Sequence, residues 1–226
     1  ENRLEQGLWT YDLDEVWSGL RAAVAELLTQ ARALDGGVPE IVAIGVSAMM
    51  HGYLAFDENG SLLVPFRTWR NTHTGDAAAE LADTFGVNIP LRWSIAHLHQ
   101  AVRDGEDHVP AIASVTTLAG YVHRRLTGAH VLGVGDASGM FPIGSGSMVY
   151  DPDLLARYRA LAPQIDLPLL LPEPLPAGAG AGRLTAEGAA LIDPDGAIPA
   201  AGGEPVDPVM PGRSQQFYGG DLDGIR

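Results

Sequence analysis

No cysteine occurs in the 226 residues, and no lysine either. The first absence excludes disulfides, thiolate metal sites and thiol nucleophiles, and it fits a reducing cytoplasm, the expected compartment. The second excludes a Walker phosphate loop, which needs a lysine to reach the terminal phosphates. All positive side-chain charge therefore rests on arginine, and 14 basic residues face 28 acidic ones for a net charge of -14. A surface this acidic repels phosphate backbones, so nucleic acid is not an expected partner. No apolar run reaches the roughly 20 residues that span a bilayer, and no signal peptide is recognisable, so no membrane partner is expected either. What the chain does have is 46% hydrophobic content, enough to fill the core of one large domain or two small ones.

Hydrophobic periodicity sets out the elements. Val16, Leu20, Val24, Leu27, Leu28 and Ala31 recur at helical spacing and predict a helix over 12–34. Asp12 or Asp14 can cap its start, and Gly36-Gly37 can end it. The apolar run Ile41 to Met50 is too short for a helix of this kind and predicts a strand buried on both faces. Tyr53 to Asp57 and Leu62 to Phe66 flank Asn59-Gly60, a hairpin signal. Short helices are expected over 77–85, 94–103, 116–126 and 151–161, with a strand over 131–134. Leu184 to Ile192 forms one further short element. From Gly202 onward apolar periodicity is lost, and 202–226 reads as an atypical tail. The chain opens on Glu1 rather than Met, in the approach to a helix, so a natural start is expected upstream.

Several motifs invite chemistry. Gly45-Val-Ser-Ala-Met49 approaches a nucleophile elbow, but Met49 stands where that sharp turn needs a small residue, so Ser47 reads as part of a strand. In Gly133-Val-Gly-Asp-Ala-Ser-Gly139 the third glycine comes one place late for a dinucleotide fingerprint, which leaves a strand-to-turn segment. His97 and His99 on one helix would point about 200° apart and cannot share an ion. His108, His123 and His130 have no ligand spacing, so no metal site is expected and these read as solvated or structural histidines. Met50-His51 differs, because it sits where a strand ends and Gly52 opens a turn. Strand ends are where α/β folds hold ligands, and imidazole can both donate to and accept from a sugar hydroxyl. A histidine that merely caps the strand end is the alternative. Phe66-Arg-Thr-Trp-Arg-Asn-Thr72 could stack a sugar on Trp69, or could be a salt-bridged surface loop.

Taken in order, these segments resemble the FGGY carbohydrate kinases, with the xylulokinase branch nearest. Ile44 to Asp57, Asn59-Gly60 and Pro65 to Arg70 carry the resemblance. So do Arg92-Trp-Ser-Ile-Ala-His-Leu-His-Gln100 and the block from Leu118 to Pro142, with Leu126-Thr-Gly128 and Asp136-Ala-Ser-Gly-Met-Phe141. The resemblance implies an α/β fold of the ribonuclease-H-like, actin type with a mixed sheet. It implies a sugar-binding N-terminal domain over 1–201 that lacks its first strands, with the second ATPase-fold domain absent from the chain. It also implies transfer of the γ-phosphoryl of ATP, with Mg²⁺, to a hydroxyl of a ketose such as xylulose or of a polyol. Met50, His51, Arg70 and Arg92 fall on the substrate-binding segments. The catalytic base is not located, since Glu204 to Arg213 departs from the family pattern and Asp221 is only a partial echo. The chain alone is expected to be inactive, and a non-catalytic sugar- or partner-binding module is the alternative. Homodimer formation is left open.

Overall fold

The computed structural model describes residues 3–5, 7–35, 41, 43–144, 146–196 and 210–211. Gly36-Gly37, most of the 202–226 tail and Asp221 lie outside them. Strands β1 (Arg3–Glu5) and β2 (Leu8–Thr10) form an antiparallel hairpin that turns at Gly7, where φ is 82°. This hairpin has no signal in the periodicity, because three-residue strands are too short to show one. Helix α1 (Leu13–Asp35) follows, with Asp12 Oδ1 accepting from the Asp14 N–H at 2.8 Å. Its inner stripe is Trp17 and Leu28, whereas Leu27 is 59% exposed and so belongs to the outer face, contrary to its place in the sequence pattern. The Trp17 indole donates to the Tyr121 hydroxyl at 3.0 Å, pinning the helix to the body.

The strand expected over 41–50 is reduced to β3 (Gly45–Val46), which pairs in parallel with β8 (Met210–Pro211). It is not buried on both faces. Val46 and Ala48 pack inward while Ala43, Gly45 and Ser47 are exposed. The doubly buried strand is instead β4 (Leu54–Phe56), which with Tyr53 has every residue buried. It pairs antiparallel with β5 (Ser114–Thr116) on one side, and on the other with the return arm of the hairpin through the Tyr53–Arg67 and Phe56–Leu62 bridges. A strand paired along both edges has its side chains alone facing the two packing layers, and burying each large apolar one contributes roughly 1.5–3 kcal/mol.

The expected hairpin turn is made by local chemistry. Asp57 Oδ1 accepts from the N–H groups of Asn59 and Ser61, and Gly60 takes φ 77°. Helices α2 (Gly75–Phe85), α3 (Ser94–Asp104) and α4 (Leu118–Thr127) stop on Gly86, Gly105 and Gly128, each in the left-handed region that a Cβ disfavours. Strand β6 (Val131–Gly133) leads into the one-turn helix α5 (Val134–Ala137). Helix α6 (Pro152–Leu161) is capped by Asp151, whose carboxylate accepts from the N–H groups of Asp153 and Leu154. The short α7 (Leu167–Leu170), β7 (Glu173–Leu175) and α8 (Ala186–Ile192) complete the order, and β7 pairs in parallel with β6. The strand pairs are thus of both senses, with helices packed around them. Among the described residues no helix is long and apolar enough to cross a membrane.

Candidate active site

Three distant segments meet at the end of the Ile41–Met50 stretch. Gly52 N–H donates to the Arg92 carbonyl at 3.1 Å, and Ser94 Oγ donates to the Gly52 carbonyl at 2.6 Å. The N–H of Ser94 donates to the Gly139 carbonyl at 3.4 Å, and that of Ile95 to the Met140 carbonyl at 3.0 Å. The connection between β3 and β4, which replaces the strand end expected at Met50-His51, is thereby locked to the start of α3 and the turn after α5. Gly52 has φ 87°, and a Cβ there would lie 2.8 Å from the Arg67 carbonyl and from the Phe66 ring, so only glycine fits.

His51 sits in this lock. It is half-buried and has φ 69°, a left-handed conformation that non-glycine residues adopt at a cost and that clusters at functional sites. Its Nδ1 lies 3.4 Å from the Gly139 carbonyl oxygen. A carbonyl can only accept, so this contact selects the tautomer with the proton on Nδ1 and leaves Nε2 as an acceptor. Burial lowers the His51 pKa, the Gly139 hydrogen bond opposes that, and the nearby Arg92 charge lowers it further. The ring is therefore neutral at neutral pH. Gly139 also makes room for it, since a Cβ at that position would come within 2.5 Å of His51 Nδ1.

The sequence-selected residues do not all meet here. Arg92 is exposed and close enough to His51 to act on its titration, and Met50 is half-buried beside it in the chain. Arg70 is held by a different contact, with its guanidinium 3.6 Å from the centre of the Trp9 ring. Trp69 is half-exposed. Asn71 is buried and structural: its Oδ1 accepts from the Trp9 N–H, and its Nδ2 donates to the carbonyls of Trp9 and Thr68. Ser47 is exposed and lies just past β3, not inside a buried strand as expected, and among the described residues no histidine is hydrogen-bonded to it.

Beneath the site lies a polar cluster that sequence reasoning did not find. Arg67 is buried and forms a two-point pair with Glu106, one arm at 2.9 Å. Its guanidinium also lies 5.4 Å from the Tyr53 ring centre, and the Tyr53 hydroxyl is 2.8 Å from His108 Nε2. The histidines take structural places: His97 is fully buried, stacked on Tyr53 and tilted against His73, and His99 pairs with Glu80. His123 and His130 bond to the Ala181 and Leu170 carbonyls. His97, His99, His108 and His123 are thus buried rather than solvated. Removing Glu106 would strand a buried cation, so Glu106→Ala is expected to lower stability by about 3 kcal/mol, read as a shift in urea denaturation. An unchanged midpoint would mean that Arg67 finds water.

A groove of about 500 Å³ between Tyr11, Phe56, Phe66 and Tyr121 and an apolar cavity of about 340 Å³ between α1, β3 and α4 lie elsewhere. Neither is lined by Met50, His51 or Arg92. The larger space is thus not the one that carries the converging polar groups, and the lock around His51 is the better site.

A profile of the FGGY family of carbohydrate kinases, N-terminal domain, matches residues 2–207. The chain belongs to this family. It is 27% identical over 203 residues to a xylulose kinase of Streptomyces coelicolor, covering 82% of this chain and 38% of that protein. The solved xylulose kinase of Rhodospirillum rubrum superposes with a TM-score of 0.73 at 26% identity, over 93% of this chain and 42% of that one. A ligand-bound xylulose kinase from Lactobacillus acidophilus, at 17% identity and a TM-score of 0.71, shares the fold. The FGGY chain thus spans about two fifths of the length of these relatives. Its fold is the actin-like, ribonuclease-H-like one expected from the sequence. Parts of three of the segments that carried the resemblance, at Gly52, Arg92 to Ile95 and Gly139-Met140, lock together here.

Proposed function

We propose that this chain is the sugar-binding part of an ATP-dependent carbohydrate kinase that phosphorylates a hydroxyl of a ketose, such as the pentulose xylulose, or of a polyol. The sugar-binding domain is taken as 1–201, with 202–226 as a tail. The observation that carries the reading is the neutral His51 ring, held by Gly139 in the connection between β3 and β4 beside Arg92. An imidazole with Nδ1 committed to a carbonyl offers Nε2 to a hydroxyl proton, while Arg92 offers donors to a second oxygen. Vicinal hydroxyls of a sugar match that pairing of acceptor and donor. Met50 supplies an adaptable apolar wall beside them. Arg70 belongs to the proposal by resemblance, with its guanidinium held over the Trp9 ring.

When bound, MgATP supplies the phosphoryl group and offsets charge on it. Among the described residues no group of three or more His, Asp or Glu could hold a metal ion by itself, and Mg²⁺ beside a nucleotide is held mainly by the phosphates with one or two carboxylates.

Calorimetric titration with pentuloses, hexuloses and polyols tests the reading. At least one binds, and His51→Ala weakens it at least about tenfold. Should none bind, the assignment fails. Phosphorylation of a bound sugar by this chain with MgATP would show that it is active alone; binding without turnover in the full-length protein would favour the non-catalytic module. Binding also depends on pH with a defined sign. Because the His51 pKa is lowered, affinity holds from alkaline pH to below the ordinary histidine value of 6.5 and falls only at the more acidic pH where Nε2 gains a proton. An affinity that rises on acidification would exclude Nε2 as the acceptor.

A further inference from the structure

Asp136 breaks the ordinary rules for a buried acid. It is 1% exposed, and no arginine or histidine pairs with it among the described residues. Its Oδ2 accepts from Thr117 Oγ1 at 2.8 Å, and its Oδ1 is buried with no partner. The hydroxyl of Tyr150 is likewise buried without a partner, and the Asp136 charge acts on its titration. A carboxyl held by one neutral hydroxyl costs more to bury than the small apolar residue that would fit a one-turn helix, and rule-breaking of this kind collects at functional sites.

The hydrogen bonds around it run toward His51. Thr117 Oγ1 accepts from the Gly120 N–H at the start of α4 and donates to Asp136. The backbone carbonyl of Asp136 accepts from the Gly139 N–H at 2.9 Å. The Gly139 carbonyl in turn faces the Ser94 N–H and His51 Nδ1, both at 3.4 Å. The turn that presents this carbonyl is thus tied to the start of α4 by the Asp136 side chain at one end and touches the ligand-side ring at the other. A carbonyl displaced by a few tenths of an ångström from an already long contact would release the imidazole to its other tautomer and rotamers.

We infer that Asp136 is a positioning residue, whose buried carboxyl, held by Thr117, fixes the Asp136–Met140 turn so that the Gly139 carbonyl selects the tautomer and orientation of His51. The value of that positioning rests on the sugar-binding role proposed for His51, but the positioning itself can be read without a sugar. The measurement is ¹⁵N NMR of the histidine-labelled 226-residue chain, with the His51 signals assigned by their loss in His51→Gln. The parent chain shows the Nδ1–H tautomer. Asp136→Asn keeps an acceptor toward Thr117 and keeps that tautomer, whereas Asp136→Ala gives a mixture and weakens sugar binding about tenfold. If Asp136→Ala does not fold, Thr117→Val removes the same hydrogen bond at nearly constant volume and gives the same mixture. His51 signals that are alike in the parent and Asp136→Ala, or an Asp136→Asn chain that behaves like Asp136→Ala, overturn the inference. A tautomer change in a chain that binds no sugar leaves the positioning standing and overturns the functional reading instead.

Discussion

Gly139→Ala binds sugar about a hundredfold more weakly than the parent chain while melting as cooperatively, because a methyl group there occupies the space of the His51 ring. The added carbon would lie 2.5 Å from Nδ1 and 2.7 Å from Cε1, closer than any real contact, and 3.3 Å from the Asp136 carbonyl. The backbone at Gly139 is not left-handed, so alanine is tolerated by the main chain and the whole effect falls on the ring. The imidazole is the far end of a two-torsion side chain and swings away at little cost to the fold. It loses its carbonyl partner and its aim together. Calorimetry beside thermal denaturation checks this. Binding that survives in a folded Gly139→Ala chain would show that His51 does not need its present seat, and so that it is not the residue that reads the sugar.

Asp136→Asn is expected to raise stability at alkaline pH and to leave it unchanged at acid pH. Burial raises the Asp136 pKa from 3.8 to about 7, and the Thr117 hydrogen bond only partly opposes it. The native state therefore holds a proton that the unfolded chain has released, so stability declines as pH rises from 3.8 to about 7 and is flat above. A displacement of that size corresponds to at most about 4 kcal/mol. Asparagine mimics the protonated acid, with an acceptor for Thr117 and no charge to bury, and so removes this loss. His51 and the other buried histidines act with the opposite sign: their lowered values make stability rise with pH up to the ordinary histidine range. They are common to both chains, and the difference between the two isolates Asp136. Urea denaturation at about pH 4.5 and pH 8 measures it. Parallel pH profiles for the two chains would mean that water reaches the carboxyl.

Both expectations come from one small turn, and the sequence signalled that turn only in part. Asp136-Ala-Ser-Gly139 stood out as a near miss to a fingerprint and as one block of a family resemblance, while the roles of Asp136 and Gly139 stayed hidden. The reason is distance along the chain. Thr117 lies 19 residues from Asp136, and His51 lies 88 from Gly139. No periodicity reports pairings of that kind. The same holds for Arg67 and Glu106, whose pairing across 39 residues joins a buried arginine to a half-buried glutamate. Features that depend on near neighbours were legible. The Asn59-Gly60 turn follows from the Asp57 side chain and a missing Cβ acting within four residues.

Burial was the other thing only the fold could decide. Ile41 to Met50 has the composition of a doubly covered strand, yet one face of it is exposed, because covering needs a second layer and composition cannot say whether one is present. Tyr53 to Phe56 is covered on both faces because Tyr53 and Ala55 pack into one apolar cluster and Leu54 and Phe56 into another. The position of Met50-His51 just before a turn at Gly52 was readable from the chain itself, but the strand expected to end there stops at Val46, so the pair lies in the connection between β3 and β4. That His51 is neutral, left-handed and aimed by Gly139 was decided by the tertiary structure, since hydrogen bonds and desolvation depend on which distant segments the fold brings within a few ångströms.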